Sequence, residues 1–411
     1  MMPIWSLEKR RSQTALDWVV FFLSDVETGV GPFMAGYLTG IRHWNPEQIG
    51  IIIASQKIAS VITQALAGWV IDRTTFKRWI MAVVALAISF GSLLVAWAPG
   101  VVSQALNQIA IGAATSIATL TVSALSLGIA GRDALSRRMG RNGAFSHAGN
   151  MLTASLAGYV GFRIGQQWIF YFSAALGTAC SIAALAIREA DIDHALAREA
   201  PDAEESGGKA AANASKLLKS PAVLVFAAAV LLFHLTNSAL LPLAGEEISR
   251  GNGKSAPIYL TACIVLPQLV MIPVSWVAGW NANRLGRKLL FAIAFCALVL
   301  RAVLFATSAN PNFIVAVEVL DGIGTGISGV VTVLIVADLA KGSGHFNALG
   351  GMMQSALGVG AFLGNLLAGA AAKRHGFPPV FYGLAAAAAL GLILFISAMP
   401  ETWRSKAQES T

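Results

Sequence analysis

Twelve apolar blocks, each near the length that crosses a bilayer, constrain this chain more than any other feature. They run over about 14–41, 47–71, 77–97, 101–130, 143–162, 165–187, 219–245, 256–281, 288–307, 312–340, 345–372 and 377–399. A helix needs ~20 predominantly apolar residues to span the hydrocarbon core. Charged residues make up only 12% of the 411, against the roughly 25% usual in globular domains. A soluble bundle of buried helices would not separate so many long apolar blocks by short polar turns. The expected fold class is therefore an all-α integral membrane protein with twelve transmembrane helices.

Lys and Arg fall mostly on one side of such a layout. That side collects Lys9, Arg10 and Arg11, then Arg73, Lys77 and Arg78, then Arg132, Arg137, Arg138 and Arg141, and the basic residues of the 188–219 stretch. Under the positive-inside rule both termini are cytoplasmic. The net charge of +8 follows from this bias and calls for no nucleic-acid partner. Cys180, Cys263 and Cys296 stand singly inside apolar blocks, which suits small core residues. The charged N-terminus precedes a first block too long for a cleaved signal, so the first helix is expected to be retained. Trp18, Trp44, Trp79, Trp97, Trp168 and Trp276 lie near block ends, as in an aromatic belt.

The long polar stretch in mid-chain, rich in Ala, Glu, Gly and Ser, separates six blocks from six. Expected domains are a six-helix bundle over 1–187, a cytoplasmic linker over 188–218 and a second bundle over 219–411. The halves repeat at a displacement of about 210 residues. PFMAG at Pro32 answers PLAG at Pro242, and GWVIDRTTFKR at Gly68 answers GWNANRLGRK at Gly279. Gln104 and Asn107 answer Glu318 and Asp321 at one spacing. Ordered matches of this kind indicate internal duplication, a common construction in secondary transporters.

The turn after the second block carries Gly68, Asp72, Arg73, Lys77 and Arg78, with Thr75 in place of a second glycine. It resembles the loop signature of the major facilitator superfamily. The second copy keeps Gly279, Arg284, Gly286, Arg287 and Lys288 but has Asn283 where the acid stands. The resemblance implies two pseudo-symmetric six-helix bundles, with Gly68, Asp72, Arg73, Arg78, Asn283 and Arg284 as gating residues. Physically, Gly68 permits close helix approach, and Asp72 can accept from the free N–H groups of a neighbouring helix start. An ordinary topogenic charge cluster is the alternative.

Ionisable groups at mid-membrane cost at least ~2.5–3.5 kcal/mol and should face a cavity or a partner. The stretch FFLSDVETGVGPF places Asp25 and Glu27 there, about 200° apart around a helix, beside Gly29, Gly31 and Pro32. Ser24 and Glu27 align with His234 and Asn237 in the repeat. The resemblance implies that the first and seventh helices line the cavity. Ser24, Glu27, Thr28, His234 and Asn237 are thus expected around a substrate, together with Asn107, His147, Asn150 and Gln354. His234 could instead be a packing residue. Asp25 is expected to pair with Lys57, unless Lys57 snorkels outward. Arg301 and Glu318, at equal depth on consecutive helices, are expected to form a structural ion pair, with Asp321 freer to titrate.

Asp25, Glu27, Lys57 and Asp321 are the proton-coupling candidates. Ala105 occupies the place of an arginine that drug antiporters of the superfamily carry, and no Gly–Pro pair follows in the fifth block. No phosphate loop, metal-ligand spacing or Ser/His/Asp constellation points to an enzyme, a metal or a cofactor. The expected function is secondary active transport of a small solute by alternating access, coupled to protons. The alternatives are an uncoupled facilitator, a drug or metabolite efflux antiporter, and a transporter-like sensor. A monomer in the plasma (inner) membrane is expected, its partners being solute, protons and the lipid bilayer.

Overall fold

The computed structural model describes residues 7–28, 34, 37–38, 41–44, 46–98, 100–200, 217–252 and 256–403. Its helices are α1 (Leu7–Thr28), α2 (Pro46–Arg73), α3 (Lys77–Trp97), α4 (Val101–Ala130), α5 (Arg132–Arg163) and α6 (Gln167–Leu185). After two 3-10 turns, Glu189–Asp191 and Leu196–Arg198, follow α7 (Pro221–Asn252), α8 (Ala256–Leu285) and α9 (Arg287–Thr307). Last come α10, in two segments Pro311–Val317 and Val319–Leu339, α11 (Phe346–His375) and α12 (Phe377–Ala398). The described residues contain no strand.

Ten of these helices are long and apolar enough to cross a membrane. The others, α1 and α5, are 22 and 32 residues long but carry more charge. On α2, Ile51, Ile58, Ile62, Leu66 and Val70 are all at least half exposed. A contiguous apolar face of this kind is untenable in water and suits lipid. Trp18, Trp79, Trp97, Trp168 and Trp276 are likewise exposed. Cys180 and Cys263 are buried, whereas Cys296 is exposed and is no core residue.

By packing the chain divides into two units. The first comprises Met1–Arg138, Phe145–Glu204 and Gly342–Gly351; the second comprises Met139–Ala144, Glu205–Lys341 and Met352–Thr411. In the first, α2 packs on α4, α3 on α6 and α4, and α1 on α6. In the second, α8 packs on α10, α9 on α12 and α10, and α7 on α12. Helix for helix these are the same pairings, as duplication of a six-helix unit requires. Leu16 and Val19 of α1, Met81 and Ile88 of α3, Leu125 of α4 and Cys180 of α6 share one core in the first unit. In the second, Phe226, Phe233, Phe291, Phe295 and Phe395 form an aromatic cluster, Phe291 and Phe395 having centroids 4.9 Å apart.

The fifth helix departs from its apolar block by starting at Arg132, eleven residues earlier than 143. Arg132, Arg137, Arg138 and Arg141 therefore lie on a helix and not in a turn. Hydropathy stops at the first charges, but a helix continues wherever its charges find partners.

Candidate functional site

Three polar assemblies stand out from the apolar interior. The most charged lies in the second unit, among α7, α9 and α10. Arg301 of α9 is fully enclosed, 1% exposed, as is Glu318 at 0%. Its Nη2 lies 2.7 Å from Glu318 Oε2, and its Nη1 lies 2.7 Å from Asp321 Oδ1. The same Nη1 donates to Asn237 Oδ1 of α7 at 3.0 Å. Thr325 Oγ1 donates to Asp321 Oδ1 at 3.0 Å, and Asn237 Nδ2 donates to Thr325 Oγ1 at 3.4 Å. Arginine has donors only, so it fixes which end of the Asn237 amide faces it.

Local structure explains the convergence. Glu318 and Asp321 are three residues apart, one turn of α10, and so share a face. Glu318 sits at the break between the two α10 segments, where φ and ψ are −62° and −14°. One arginine thus serves two acids, so Asp321 joins the ion pair expected of Arg301 and Glu318 alone. With all three groups ionised, the cluster carries one net negative charge. The Asp321 side chain is 15% exposed, the least enclosed of the three charged groups. Thr325 was not singled out from the sequence, although its place four residues after Asp321 puts it on the same face.

The second assembly lies in the first unit. Asp72, 4% exposed near the end of α2, accepts from the backbone N–H groups of Asn347 and Ala348 at 3.0 and 2.9 Å. It also accepts from Asn347 Nδ2 at 2.8 Å. These donors lie in the first turn of α11, whose N–H groups have no partner within the helix. Asp72 therefore caps α11 and complements its dipole. A Cβ at Gly68 would run into the backbone of Asn347 and Ala348, so only glycine allows this crossing. In the second unit the equivalent contact joins Gly279 of α8 to Gly140 of α5, where a Cβ on Gly140 would likewise strike backbone.

The other residues of the loop signature do different work. Arg73 and Arg284 are exposed. Arg78 pairs with Glu189 at 2.7 Å and donates to the Ile187 carbonyl at 3.0 Å. Asn283 accepts from Arg287 Nη1 at 3.0 Å. Arg287 pairs with Asp338 at 3.2 Å and lies 4.5 Å from the Trp403 ring, while Glu401 accepts from the N–H groups of Arg287 and Lys288.

The third assembly went unnoticed in the sequence. Asp17 of α1 and Arg138 of α5 are 1% and 2% exposed at their side chains and meet at 2.7 Å. Arg138 also donates to the Gln13 carbonyl and side chain. Counted by position alone, Arg138 is one of a topogenic group. The available signal was register: Asp17 and Ser24, seven residues apart, share one face of α1. Ser24, 2% exposed, donates to the Phe21 carbonyl and would clash with a Cβ on Gly149 of α5. It faces α5, not an open cavity.

The remaining candidates are dispersed. Asp25, Glu27 and Thr28 lie in the last turn of α1, and their side chains fall outside the described residues, as do Gly29, Gly31 and Pro32. The expected Asp25–Lys57 pair lies outside them for the same reason; Lys57 itself is exposed. Asn107 is 6% exposed and donates to the Gly91 carbonyl at 2.9 Å, which makes it an α3–α4 connector. His147, Asn150, His234 and Gln354 are half-buried.

The Major Facilitator Superfamily model matches residues 17–356. An uncharacterised MFS-type transporter of Mycobacterium tuberculosis, found in two strains, is 36% identical over 392 residues, covering 95% of this chain and 94% of the relative. Among solved structures, the human organic anion transporter MFSD10 aligns with TM-score 0.71 at 14% identity, covering 94% of this chain and 99% of that one. The proton:xylose symporter XylE, bound to 6-bromo-6-deoxy-D-glucose, aligns with TM-score 0.69 at 13% identity, covering 97% of both chains. A point mutant of the nucleoside transporter NupG aligns with TM-score 0.65 at 15% identity, covering 95% of this chain and 100% of that one.

Proposed function

Because this chain belongs to the major facilitator superfamily and is a multi-pass membrane transporter, we propose that it moves a small solute by alternating access coupled to protons. The observation that carries this reading is Arg301 held between Glu318 and Asp321, with only Asp321 partly exposed. A proton on Asp321 removes the net charge of the cluster and leaves the enclosed Arg301–Glu318 pair intact. It also weakens the bond that the half-buried Thr325 hydroxyl donates to Asp321, so that hydroxyl can turn to another acceptor. Proton occupancy is thereby exchanged for a change in the polar groups offered to a solute. Asp25 and Glu27 are the second candidates for the same role.

Asp72 is the gate in this reading. Its carboxylate holds the first turn of α11, and releasing that turn is the step that lets the solute path open on this side. The basic bias places both termini and the 188–218 linker in the cytoplasm of a plasma-membrane protein, acting as a monomer with six-helix bundles over 1–187 and 219–411. A site with two acids and an arginine already paired with both suits a neutral or cationic solute better than a multiply charged anion. The solved neighbours are named for an organic anion, a sugar and nucleosides, and they support no single substrate.

The test starts from a thermal-shift screen of purified protein against metabolite and drug libraries. Hits go into proteoliposome flux with and without an imposed pH gradient. Proton coupling requires accumulation that collapses with an uncoupler, and Asp321→Asn should abolish accumulation while keeping solute exchange. An uncoupled facilitator would equilibrate solute in both settings, and a sensor would show no flux.

A further inference from the structure

The residues that follow α6 form a strap that no part of the gate reading above uses. Ser12 Oγ donates to Asp191 at 2.6 Å, Arg78 holds Glu189, and the Asp193 N–H donates to the Gly128 carbonyl at 3.1 Å. Ile192, Ala197 and Glu199 are buried. The strap is thus anchored to α1, α3 and α4 before it reaches its last described residues.

At Glu199 the chain takes an unusual course. Its φ and ψ are 57° and 44°, the left-handed region that a residue with a side chain seldom adopts. Its carboxylate, 1% exposed, pairs with Arg132 at the start of α5. The geometry directs the Glu199 carbonyl to Gly344, whose N–H donates to it at 2.7 Å. Gly344 is itself at φ 74° and Gly342 at φ 71°, in the turn that leads into α11. Two residues earlier in the strap, the Ala197 carbonyl accepts from Asn347 Nδ2 at 3.1 Å. The two hydrogens of that amide therefore go to Asp72 and to the strap, and only a side chain with two donors can serve both.

We infer that the strap, through Glu199 and Ala197, is a second jaw of the clamp on α11, with Glu199 and Arg132 as positioning residues for the Asp72 gate. This rests on the gate reading of Asp72. The start of α11 is gripped by carboxylate oxygens of Asp72 on one side and by strap carbonyls on the other. Releasing it breaks both sets of bonds at once. The Arg132–Glu199 pair keeps the strap carbonyls in place, so weakening that pair loosens the gate without touching Asp72, Gly68 or α11.

Amide hydrogen exchange by mass spectrometry on the full chain reads this directly, because Gly344, Asn347 and Ala348 donate their N–H groups to the two jaws. Glu199→Gln and Arg132→Met should each speed exchange over 344–348 by about tenfold, with peptides over 221–240 of α7 unchanged. The double variant should be no faster than the singles, since both act through one pair. Unchanged exchange over 344–348 in both single variants overturns the strap's role, and so does loosening that appears only together with α7. Asp72→Asn separates the two ideas. If it speeds exchange at 347–348 while Glu199→Gln does not, the strap proposal falls and the gate stands. If neither variant alters these amides, the gate reading falls with it.

Discussion

Replacing Arg301 should harm this protein far more than replacing either acid it holds. The structure sets the magnitudes. Arg301 and Glu318 are enclosed, and Asp321 is 15% exposed at its side chain. With charge centres about 4 Å apart and an effective dielectric of ~20, each carboxylate is attracted to the guanidinium by ~4 kcal/mol. The two acids are three residues apart on one helix face, a spacing of roughly 5–6 Å between Cβ atoms, and repel by ~3 kcal/mol on the same scale. The second acid therefore adds only about 1 kcal/mol, before its own desolvation is counted. Asp321→Asn should cost about 1 kcal/mol or less in equilibrium unfolding from mixed micelles. Arg301→Met leaves two repelling acids without their cation and should cost ~3–5 kcal/mol. Replacing all three, as Arg301→Met with Glu318→Gln and Asp321→Asn, should recover most of that loss. An Asp321→Asn protein as unstable as Arg301→Met would refute the reasoning, because the arginine would then need both acids to be stable.

Asp17→Asn and Arg138→Met should each destabilise by ~3–5 kcal/mol and the double variant by much less, since both side chains are almost fully buried; a double-mutant cycle in the same unfolding assay decides it. Gly68→Ala forces a Cβ into the Asn347 backbone and should speed amide exchange at Asn347 and Ala348, with normal exchange pointing to a tolerant crossing. A cysteine introduced at position 205, in a background without native cysteines, should react with an impermeant maleimide only after the membrane is permeabilised. Labelling of sealed cells would reverse the proposed orientation.

Helix spans were legible wherever the membrane alone dictates the residue type. Blocks read as 77–97 and 101–130 coincide with α3 and α4, because a lipid-spanning helix must be apolar over its length whatever it packs against. The duplication was legible too, and the paired packing of α1–α6 and α7–α12 follows it. Family membership was carried by the Gly68–Arg78 loop, a local pattern. Charges were another matter. Equal depth on consecutive helices brought out Arg301 and Glu318, yet depth says nothing of rotation about the helix axis, and rotation gave Arg301 a second acid. Arg138 looked like one surface charge among several until α5 carried it against Asp17. Asp72 signalled a helix cap, but the sequence contained no hint of which helix it caps. Glu199 lay in a stretch read as a polar linker, since nothing in its neighbours shows a carbonyl reaching Gly344 over a hundred residues away. One-dimensional patterns record what each segment must share with its solvent, and lipid is a strict solvent. Which polar groups meet inside depends on helix rotation and crossing, and these are set only when all the helices pack together.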